Sequence, residues 1–580
     1  MSAEATFIAA VRAGTPMPGA KLSSLDLRGQ DLSGAKLSGA KLVYVNLDGA
    51  VLRGADLRGA ELFSCRLEGV DLQESDLTGA AFLLVELKGA NLRGAKLAGA
   101  KLLGVALAGA DLSGMDLTGT VLARADLTGA KLAGANLSSA RLDHANLSGA
   151  DFSGAMFEKT SLTQADLTSA VLRGASIRES VFAASKLILA DLRESSIDTV
   201  IFLKADLRGA MLPRSLPRCV FQYAIFTRLD LPPDDPRVSE LEGRIPERVD
   251  LEDTDLGFTV LAGVNLRGAR MRGAKLELCD MEGCDLEGAD LEGADLRRAN
   301  FTKAKLRGAD LRGQNLELTM FDEADLTGAD LSDARLVMTS LQKTDLHKAN
   351  LSRAFLFGAS LTDANLGEMN LTRTTFKSVD FRGIDLRALP LKGLSLTRCS
   401  FVEADLGGAT LTDCDLTDAD FTKANLQRAD LRGSTLNRAN FKEARLDVAE
   451  LSGVAAKGAF FGEASLRGTT LAKASLRYST FSKADLEFAI LAGADLRETL
   501  WVEARAPGAL FPNAKLNHSD LSHADISRAD FTGADLSSAD LHDVRDSGVI
   551  WLGAIRLATK GTDVDRIVAE GWSQPERARR

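Results

Sequence analysis

Cysteines are the residues of this chain with the clearest potential for chemistry, because Cys279 and Cys284 lie only five residues apart. That spacing suggests a metal-binding or redox pair. All six cysteines, however, stand where neighbouring segments carry a small residue, most often Ala: Cys65, Cys219, Cys279, Cys284, Cys399 and Cys414. A buried free thiol packs like a small apolar side chain. We therefore predict reduced core thiols in a reducing compartment, and no metal or redox site.

Histidines and carboxylates are the next candidates for catalysis or metal binding. The five histidines occupy positions that we predict to face outward: His144, His347, His518, His523 and His542. The last three lie within two turns of the predicted fold, but no cysteine or suitably spaced carboxylate accompanies them, so we interpret them as surface residues. The many Asp residues form a ladder of equivalent groups, whereas acid–base catalysis needs a few groups in perturbed environments. Nucleotide-binding and nucleophile-elbow motifs are also absent, so we expect no enzyme and no cofactor.

A five-residue repeat positions all of these side chains. Each repeat has a central Leu, Phe or Ile, and from Leu22 to Leu212 a centre recurs at every fifth residue. The position two before the centre is usually Ala, and Gly is common two after it. The register slips by one residue after Leu212 and is interrupted between Leu231 and Leu251, after which it runs to Trp551.

A period of five fits neither an α-helix nor a plain strand. The small–x–Leu segment suits a very short strand with two inward side chains, and the next two residues suit a turn that needs positive φ. Bulky apolar residues also recur every twenty residues, as in "ELFSC" and "AFLLV". Four strand–turn units therefore complete one coil, and residues twenty apart lie above one another. Ala456 and Ala506 are small where this pattern predicts a large centre.

The segments "ADLRGAELFS" and "ANLRGAKLAG" resemble the pentapeptide-repeat family with its A-[D/N]-L-x-x consensus, and such segments cover roughly residues 20–552. The resemblance implies an all-β solenoid, namely a right-handed quadrilateral β-helix with the central Leu and the preceding Ala pointing inward. We expect about 26 coils of four pentapeptides each.

The interruption and the two ends predict five segments. Residues 1–19 form an N-terminal capping helix and lead-in, residues 20–231 a first β-helix segment and residues 251–552 a second one. The Pro-rich residues 232–250 form a projecting loop or a distorted coil. Residues 553–580 form a C-terminal capping helix and tail. The helices are predicted to plug the open ends with apolar residues: Phe7, Ile8 and Val11 at the start, and Val564, Ile567, Val568 and Trp572 after an N-cap at Thr562.

Composition limits the function further. A net charge of −10 is mild for 580 residues and does not favour nucleic-acid binding, which needs a basic face. The sequence has no apolar run long enough to span a membrane, and its start lacks the features of a signal peptide. We expect a cytoplasmic bacterial protein. Secretion by a route that needs no signal peptide is the alternative.

Two outward columns of apolar residues predict contact with another surface, because a solvent-facing side of such a tube should be polar. The first column consists of Val43, Tyr44, Phe63, Leu83, Leu84 and Leu103. The second column consists of Leu318, Val337, Met338 and Phe357. The first column is covered by the N-terminal helix, by a second copy of the chain or by a partner protein. A homodimer would use this column or the C-terminal cap.

An acidic segment follows the Pro-rich interruption. Residues 250–295 contain 12 Asp and Glu but only 4 Lys and Arg, so most of the net charge lies here. Its carboxylates form a candidate acidic partner site: Asp250, Glu252, Asp253, Asp255, Asp280, Glu282, Asp285, Glu287, Asp290, Glu292 and Asp295.

Two kinds of function fit these surfaces. The first is a non-catalytic, rigid scaffold or adaptor for protein partners; the resemblance implies long bacterial proteins of this kind, some associated with type VI secretion systems. The alternative, also implied by the resemblance, is a mimic of double-stranded DNA that binds a type II topoisomerase such as gyrase and confers resistance to its poisons. The length and the apolar columns favour the scaffold, whereas the acidic segment and the interruption would serve the alternative.

Overall fold

The computed structural model describes residues 2–226 and 248–571, which belong to two compact units, Met1–Ala309 and Asp310–Arg580. Each unit is a parallel β-solenoid in which short strands and single β-bridges pair residues of successive turns. The predicted all-β solenoid is therefore confirmed.

Two short helices and twelve strands occur within the described ranges. The helices are α1 (Ala3–Arg12) and α2 (Val564–Glu570), and neither is long and apolar enough to cross a membrane. The first unit contains two parallel sheets. One is formed by β1 (Lys21–Ser23), β2 (Lys41–Val43), β3 (Glu61–Phe63), β4 (Ala81–Leu83) and β5 (Lys101–Leu102). The other is formed by β6 (Met156–Glu158), β7 (Ser176–Arg178) and β8 (Ser196–Asp198). The second unit contains one, formed by β9 (Arg335–Val337), β10 (Phe355–Phe357), β11 (Thr375–Lys377) and β12 (Ser395–Thr397).

The turns explain the preference for Gly two residues after each centre. In one repeat the Ala50 N–H donates to the Leu47 carbonyl at 2.9 Å, which closes a four-residue turn. Gly49, the third residue of this turn, has φ of 63°, in the left-handed region that Gly adopts without a steric penalty. The predicted strand-plus-turn unit is therefore present.

The core consists of the central residues and the small residues two before them, which are buried along both units. In the second unit Phe401, Phe421, Phe441 and Phe461 stack with ring centroids 4.8–4.9 Å apart, the spacing of neighbouring strands. Ala456, which breaks the pattern of large centres, is fully buried and immediately precedes the centre Phe461. A small centre beside a large one keeps the coil filled without overpacking.

The exact number of coils differs from the predicted figure of about 26. That figure counts the repeat centres from Leu22 to Leu231 and from Leu251 to Trp551 and leaves out the interruption between them. Residues 227–247 lie outside the described ranges. The predicted loop or distorted coil at 232–250 lies almost entirely there, so the predicted segment boundaries stay a prediction. The coil before this segment stacks directly on the coil after it, because Val220 pairs with Asp255 and Ile225 with Val260.

Helix α1 closes the N-terminal end of its unit as predicted. The Ser2 side chain caps the helix by accepting the Ala5 N–H at 3.2 Å. Phe7 and Val11 are buried, and Phe7 lines a small apolar cavity together with Leu27 and other centres of the first coils.

Helix α2 forms at the predicted place but does not act as an apolar plug. Its N-cap is Asp563 instead of Thr562, because the Asp563 carboxylate accepts the backbone N–H groups of Asp565 and Arg566. Val564 and Val568 are each 69% exposed, and no residue of α2 is buried. The prediction was wrong because the contacts of α2 with the last coils are polar. Trp572, the last residue of the predicted apolar stripe, lies outside the described residues.

Candidate interaction surface

The first apolar column lies on the outer face of the sheet β1–β5. Val43, Phe63 and Leu83 are the last residues of β2, β3 and β4, and the parallel register pairs each with the next. Leu62 and Phe82 beside them are buried, whereas Phe63 and Leu83 are 39% and 42% exposed. The predicted assignment of inside and outside is therefore correct for this face.

Tyr44 and Leu84 extend the column at turn positions that Gly often fills. Their φ angles are 53° and 55°, in the left-handed region, which costs a side chain with a Cβ about 1–2 kcal/mol. They are also 61% and 75% exposed, and Tyr44 meets the edge of Phe63 with ring centroids 6.0 Å apart. Neither solvation nor backbone conformation explains large apolar side chains here, which favours a contact role.

The sheet β6–β8 provides an internal comparison for this face. Its residues at the same strand position are Glu158, Arg178 and Asp198, and they pair in the same parallel register. This strand position therefore accepts charged side chains. The fold alone does not impose apolar residues on β2–β4.

Helix α1 does not cover the first column. Its buried residues, Phe7 and Val11, lie at the end of the solenoid, and Tyr44, Leu84 and Leu103 are exposed with the helix in place. Of the three predicted covers, the helix is therefore excluded.

The second column lies on β9 and β10. Val337 pairs with Phe357, and the N–H groups of Leu318 and Met338 donate to the carbonyls of Val337 and Phe357, each at 2.8 Å. On the next strand Lys377 occupies the equivalent position, with its Nζ 5.9 Å from the centre of the Phe357 ring. A cation therefore borders this column on the side of β11.

Some exposed apolar residues were not predicted. Tyr223 and Phe258 stack on the outer surface with ring centroids 4.8 Å apart. Val448 and Phe488 are exposed at turn positions two coils apart, and Gly468 occupies the same position in the coil between them. The signal for the latter pair was present in the sequence, as a spacing of two twenty-residue turns.

The predicted acidic partner site is distributed over several sides of its coils, and basic residues of neighbouring coils compensate much of its charge. Residues 250, 270 and 290 stack on one side, and residues 255, 275 and 295 on another. The ion pairs are Arg270 with Asp250 and Glu252, Arg272 with Asp290 and Glu292, Arg267 with Glu287, Lys275 with Asp255, Lys303 with Glu282, Lys305 with Asp285 and Arg297 with Asp295.

The Asp residues before the centres also hold the turns. Asp295 accepts the Arg297 backbone N–H at 3.3 Å and the Arg297 guanidinium at 2.6 and 2.8 Å. These hydrogen bonds, with the side-chain bond the largest cause, lower the pKa of Asp295. Asp280, Asp285 and Asp290 accept the N–H two residues later in the same way. These carboxylates therefore hold the turns of their own repeats, which accounts for them without a catalytic role.

All six cysteines are buried, as predicted. Burial raises the pKa of Cys219, Cys284 and Cys399 to about 12. Cys284 Sγ lies 2.9 Å from the Leu261 carbonyl and Cys279 Sγ 3.3 Å from the Thr259 carbonyl, so each thiol contacts a backbone acceptor. The core interpretation therefore fits both.

One histidine corrects the predicted surface assignment. His144 and His518 are exposed and His347 and His523 are partly exposed, but His542 is only 1% exposed. The reason is helix α2, which returns over the last coils and brings Glu570 close to His523 and His542. The sequence alone does not show where this helix docks. The resulting group of side chains is the one cluster with metal-ligand character within the described residues.

The family assignment rests on the repeat itself. The family sequence model described as pentapeptide repeats (8 copies) matches overlapping segments that span residues 20–182, 247–317, 319–388, 399–487 and 489–543. These matches cover well over half of the chain. The chain belongs to the pentapeptide-repeat family. Comparison with curated proteins gave no match.

Solved structures of pentapeptide-repeat proteins are similar to parts of this pentapeptide-repeat chain. A trypsin-treated form of QnrB1, a plasmid-mediated fluoroquinolone resistance protein, is 18% identical, with 34% of this chain and 98% of that chain covered and a TM-score of 0.27. HetL, involved in heterocyst differentiation regulation in Nostoc sp. strain PCC 7120, is 26% identical, with 50% and 94% covered and a TM-score of 0.16. Rfr23 from Cyanothece 51142 is 25% identical, with 20% and 94% covered and a TM-score of 0.17. At these TM-scores the likenesses carry no argument about function.

Proposed function

We propose that this pentapeptide-repeat protein is a rigid, non-catalytic scaffold or adaptor that binds a protein partner through the outer face of β1–β5. The observation that supports this proposal is the combination of exposure and left-handed backbone at Tyr44 and Leu84. Pentapeptide-repeat proteins are generally structural or interaction proteins, which agrees with a non-catalytic role.

The chemistry of the face defines the kind of partner. Phe63, Leu83 and Leu84 offer a flat apolar strip, and each Å² that a partner removes from water contributes about 25 cal/mol. Beside the strip, Lys41 and Glu61 form an exposed ion pair with Nζ and Oε2 2.8 Å apart. An apolar centre with a polar edge is typical of a protein–protein interface. We expect the partner to present an apolar surface with charged residues at its margin.

The DNA-mimic alternative would use the acidic partner site. Its residue balance remains negative, but the ion pairs of Arg270 and Arg272 with adjacent coils reduce the local field. A DNA mimic needs rows of uncompensated negative charge, since phosphates carry one charge each. We therefore place this function second.

Affinity capture with a matched pair of variants tests the scaffold proposal. Purified wild-type protein, the double variant Phe63→Asp and Leu83→Asp, and the control Arg178→Asp are each incubated with extract of the native host. Arg178 occupies the same strand position on β7, outside the column. We expect the wild type and the control to retain the same protein, and the double variant to lose it. The captured protein is then purified and its binding measured directly with all three forms.

Sedimentation of the three proteins alone separates a second copy from a different partner. Dissociation of a dimer only in the double variant would identify the column as a self-association surface. The proposal fails if the double variant remains folded and binds the purified partner with wild-type affinity.

A further inference from the structure

Helix α2 completes a cluster of two imidazoles and a carboxylate at the end of the second unit. Glu570 Oε2 lies 3.1 Å from His523 Nε2 and 3.4 Å from His542 Nε2. One ligand atom from each of the three residues lies within 4.8 Å of the others. In a tetrahedral zinc site with metal–ligand bonds near 2.0–2.1 Å, neighbouring ligand atoms are about 3.3 Å apart. The two distances to Glu570 already match that separation.

Two of the three side chains are oriented by further contacts, as metal ligands usually are. His523 Nδ1 lies 3.1 Å from Asp543 Oδ2. A ring proton on Nδ1 donates to this carboxylate and leaves the Nε2 lone pair for a metal ion. The Arg566 guanidinium donates to Glu570 Oε1 at 2.7 Å, which leaves Oε2 for the cluster. Asp540 accepts a second hydrogen bond from the Arg566 guanidinium at 3.1 Å. Three carboxylates, of Asp540, Asp543 and Glu570, therefore lie at the cluster with this one guanidinium.

The third side chain, His542, has one ring nitrogen without a hydrogen-bond partner. His542 Nε2 is buried and has no hydrogen-bond partner, because its approach to Glu570 lacks hydrogen-bond geometry. Ser522, one turn earlier at the equivalent position, also has a buried Oγ without a partner. Orphaned polar atoms are rare in protein interiors and require an explanation. A bound ion at Nε2 supplies one for His542.

The mode of docking of α2 points in the same direction. The helix buries none of its residues, so apolar packing does not fix it to the solenoid. Its contacts run through Glu570, through Arg566 to Asp540, and through the Asp563 N–H, which donates to His542 Nδ1 at 3.0 Å. A short helix held only by such contacts in water is weakly fixed.

We propose that His523, His542 and Glu570 bind one divalent transition-metal ion of the Zn²⁺ type, which fixes α2 to the last coils. Two imidazoles with one carboxylate suit Zn²⁺, Co²⁺ or Ni²⁺, whereas Mg²⁺ and Ca²⁺ prefer oxygen ligands alone. Coordination by His542 Nε2 requires the ring proton on Nδ1. The Asp563 N–H, which donates to Nδ1 in this structure, must then release it, so the ion replaces this contact between α2 and the last coils.

Titration of the full chain, produced without a histidine tag and treated with a chelator, tests the site. We expect one equivalent of Zn²⁺ to bind, and one equivalent of Co²⁺ to give the visible absorption of a tetrahedral site. His523→Gln and Glu570→Gln should each weaken binding at least about tenfold. His518→Gln is the matched control, since His518 lies on an exposed turn near the same end and outside the cluster, and it should bind like the wild type.

Two readouts distinguish this site from adventitious surface binding. Nitrogen NMR of the histidines should show the His542 proton moving from Nε2 to Nδ1 when Zn²⁺ is added. Hydrogen exchange of residues 564–570 should slow with Zn²⁺ in the wild type and in His518→Gln only. The proposal is overturned if the wild type does not bind one equivalent of Zn²⁺ or Co²⁺. It is also overturned if His523→Gln and Glu570→Gln bind the metal as tightly as the wild type.

Discussion

At the scale of single residues, Tyr44 and Leu84 place large apolar side chains at turn positions that suit Gly. Tyr44 and Leu84 combine left-handed φ with high exposure, whereas Gly adopts this conformation freely. We expect Tyr44→Gly with Leu84→Gly to leave the thermal unfolding midpoint unchanged or raised, because relief of about 1 kcal/mol per turn offsets the greater freedom of Gly in the unfolded chain. Partner binding should weaken at least about tenfold.

Calorimetry and a direct binding assay measure the two effects separately. Glu74→Gly is the control, since Glu74 has φ of 58° on an exposed turn outside the column, and it should change neither binding nor folding appreciably. A large loss of stability in the Tyr44 and Leu84 variant would mean that these side chains support the fold and not a contact.

The buried thiols give a second prediction at this scale. Because burial raises their pKa above that of an unfolded cysteine, native Cys219, Cys284 and Cys399 should resist thiol reagents at neutral pH. A Ser113→Cys variant adds one exposed thiol and should gain one rapidly labelled site. Fast native labelling of several wild-type thiols would contradict the inward register.

The same shifts predict a dependence of stability on alkaline pH. Below the pKa of an unfolded cysteine, near 8.5, the thiols are protonated in both the folded and the unfolded state, so they do not make stability depend on pH. Between that pH and about 12 only the unfolded state loses the proton, so each thiol lowers the free energy of unfolding by about 1.4 kcal/mol per pH unit. Replacing the three by Ala should flatten this decline in denaturant unfolding measured at pH 9–11. An identical decline would show that the shifts are absent.

At the scale of elements, the two helices differ in what they contribute. Phe7 and Val11 of α1 are buried against the first coils, whereas α2 buries nothing. We expect deletion of residues 2–14 to speed hydrogen exchange in β1 and β2, because the first apolar coil then faces water. Deletion of residues 562–580 in metal-free protein should leave exchange in the neighbouring coils nearly unchanged. Equal effects of both deletions would contradict this difference between the ends.

The elements also show how far the sequence determines the structure. The five-residue period and its twenty-residue recurrence were sufficient to predict the stacked coils, the inward cysteines and the outward Phe63 and Leu83, since each follows from local repetition. The burial of His542 and the polar docking of α2 were not predictable, because they depend on where a short non-repeating segment returns. Thr562 and Asp563 were both chemically suitable N-caps, and only the helix position decides between them.

At the scale of the whole molecule, pairing of opposite charges is the rule. The formal net charge is −10, yet ion pairs join adjacent coils in both units, as between Arg53 and Asp71 and between Arg438 and Asp418. Each exposed pair contributes little to stability. Together they shorten the range of the field that the molecule presents to a partner, because opposite charges lie side by side.

This charge arrangement leads to a prediction that separates the two functions. Binding through the apolar column should change less than about threefold between low and physiological salt, since burial of apolar surface is not screened. Binding as a DNA mimic should weaken steeply, because many charges would be paired at once. The measurement is a titration of the captured partner at several salt concentrations, with wild type and with Phe63→Asp and Leu83→Asp. A variant with Glu282→Gln, Glu287→Gln and Glu292→Gln is the control for the acidic site. A steep salt dependence that this control abolishes, with no effect of the column substitutions, would favour the DNA mimic and reject the scaffold.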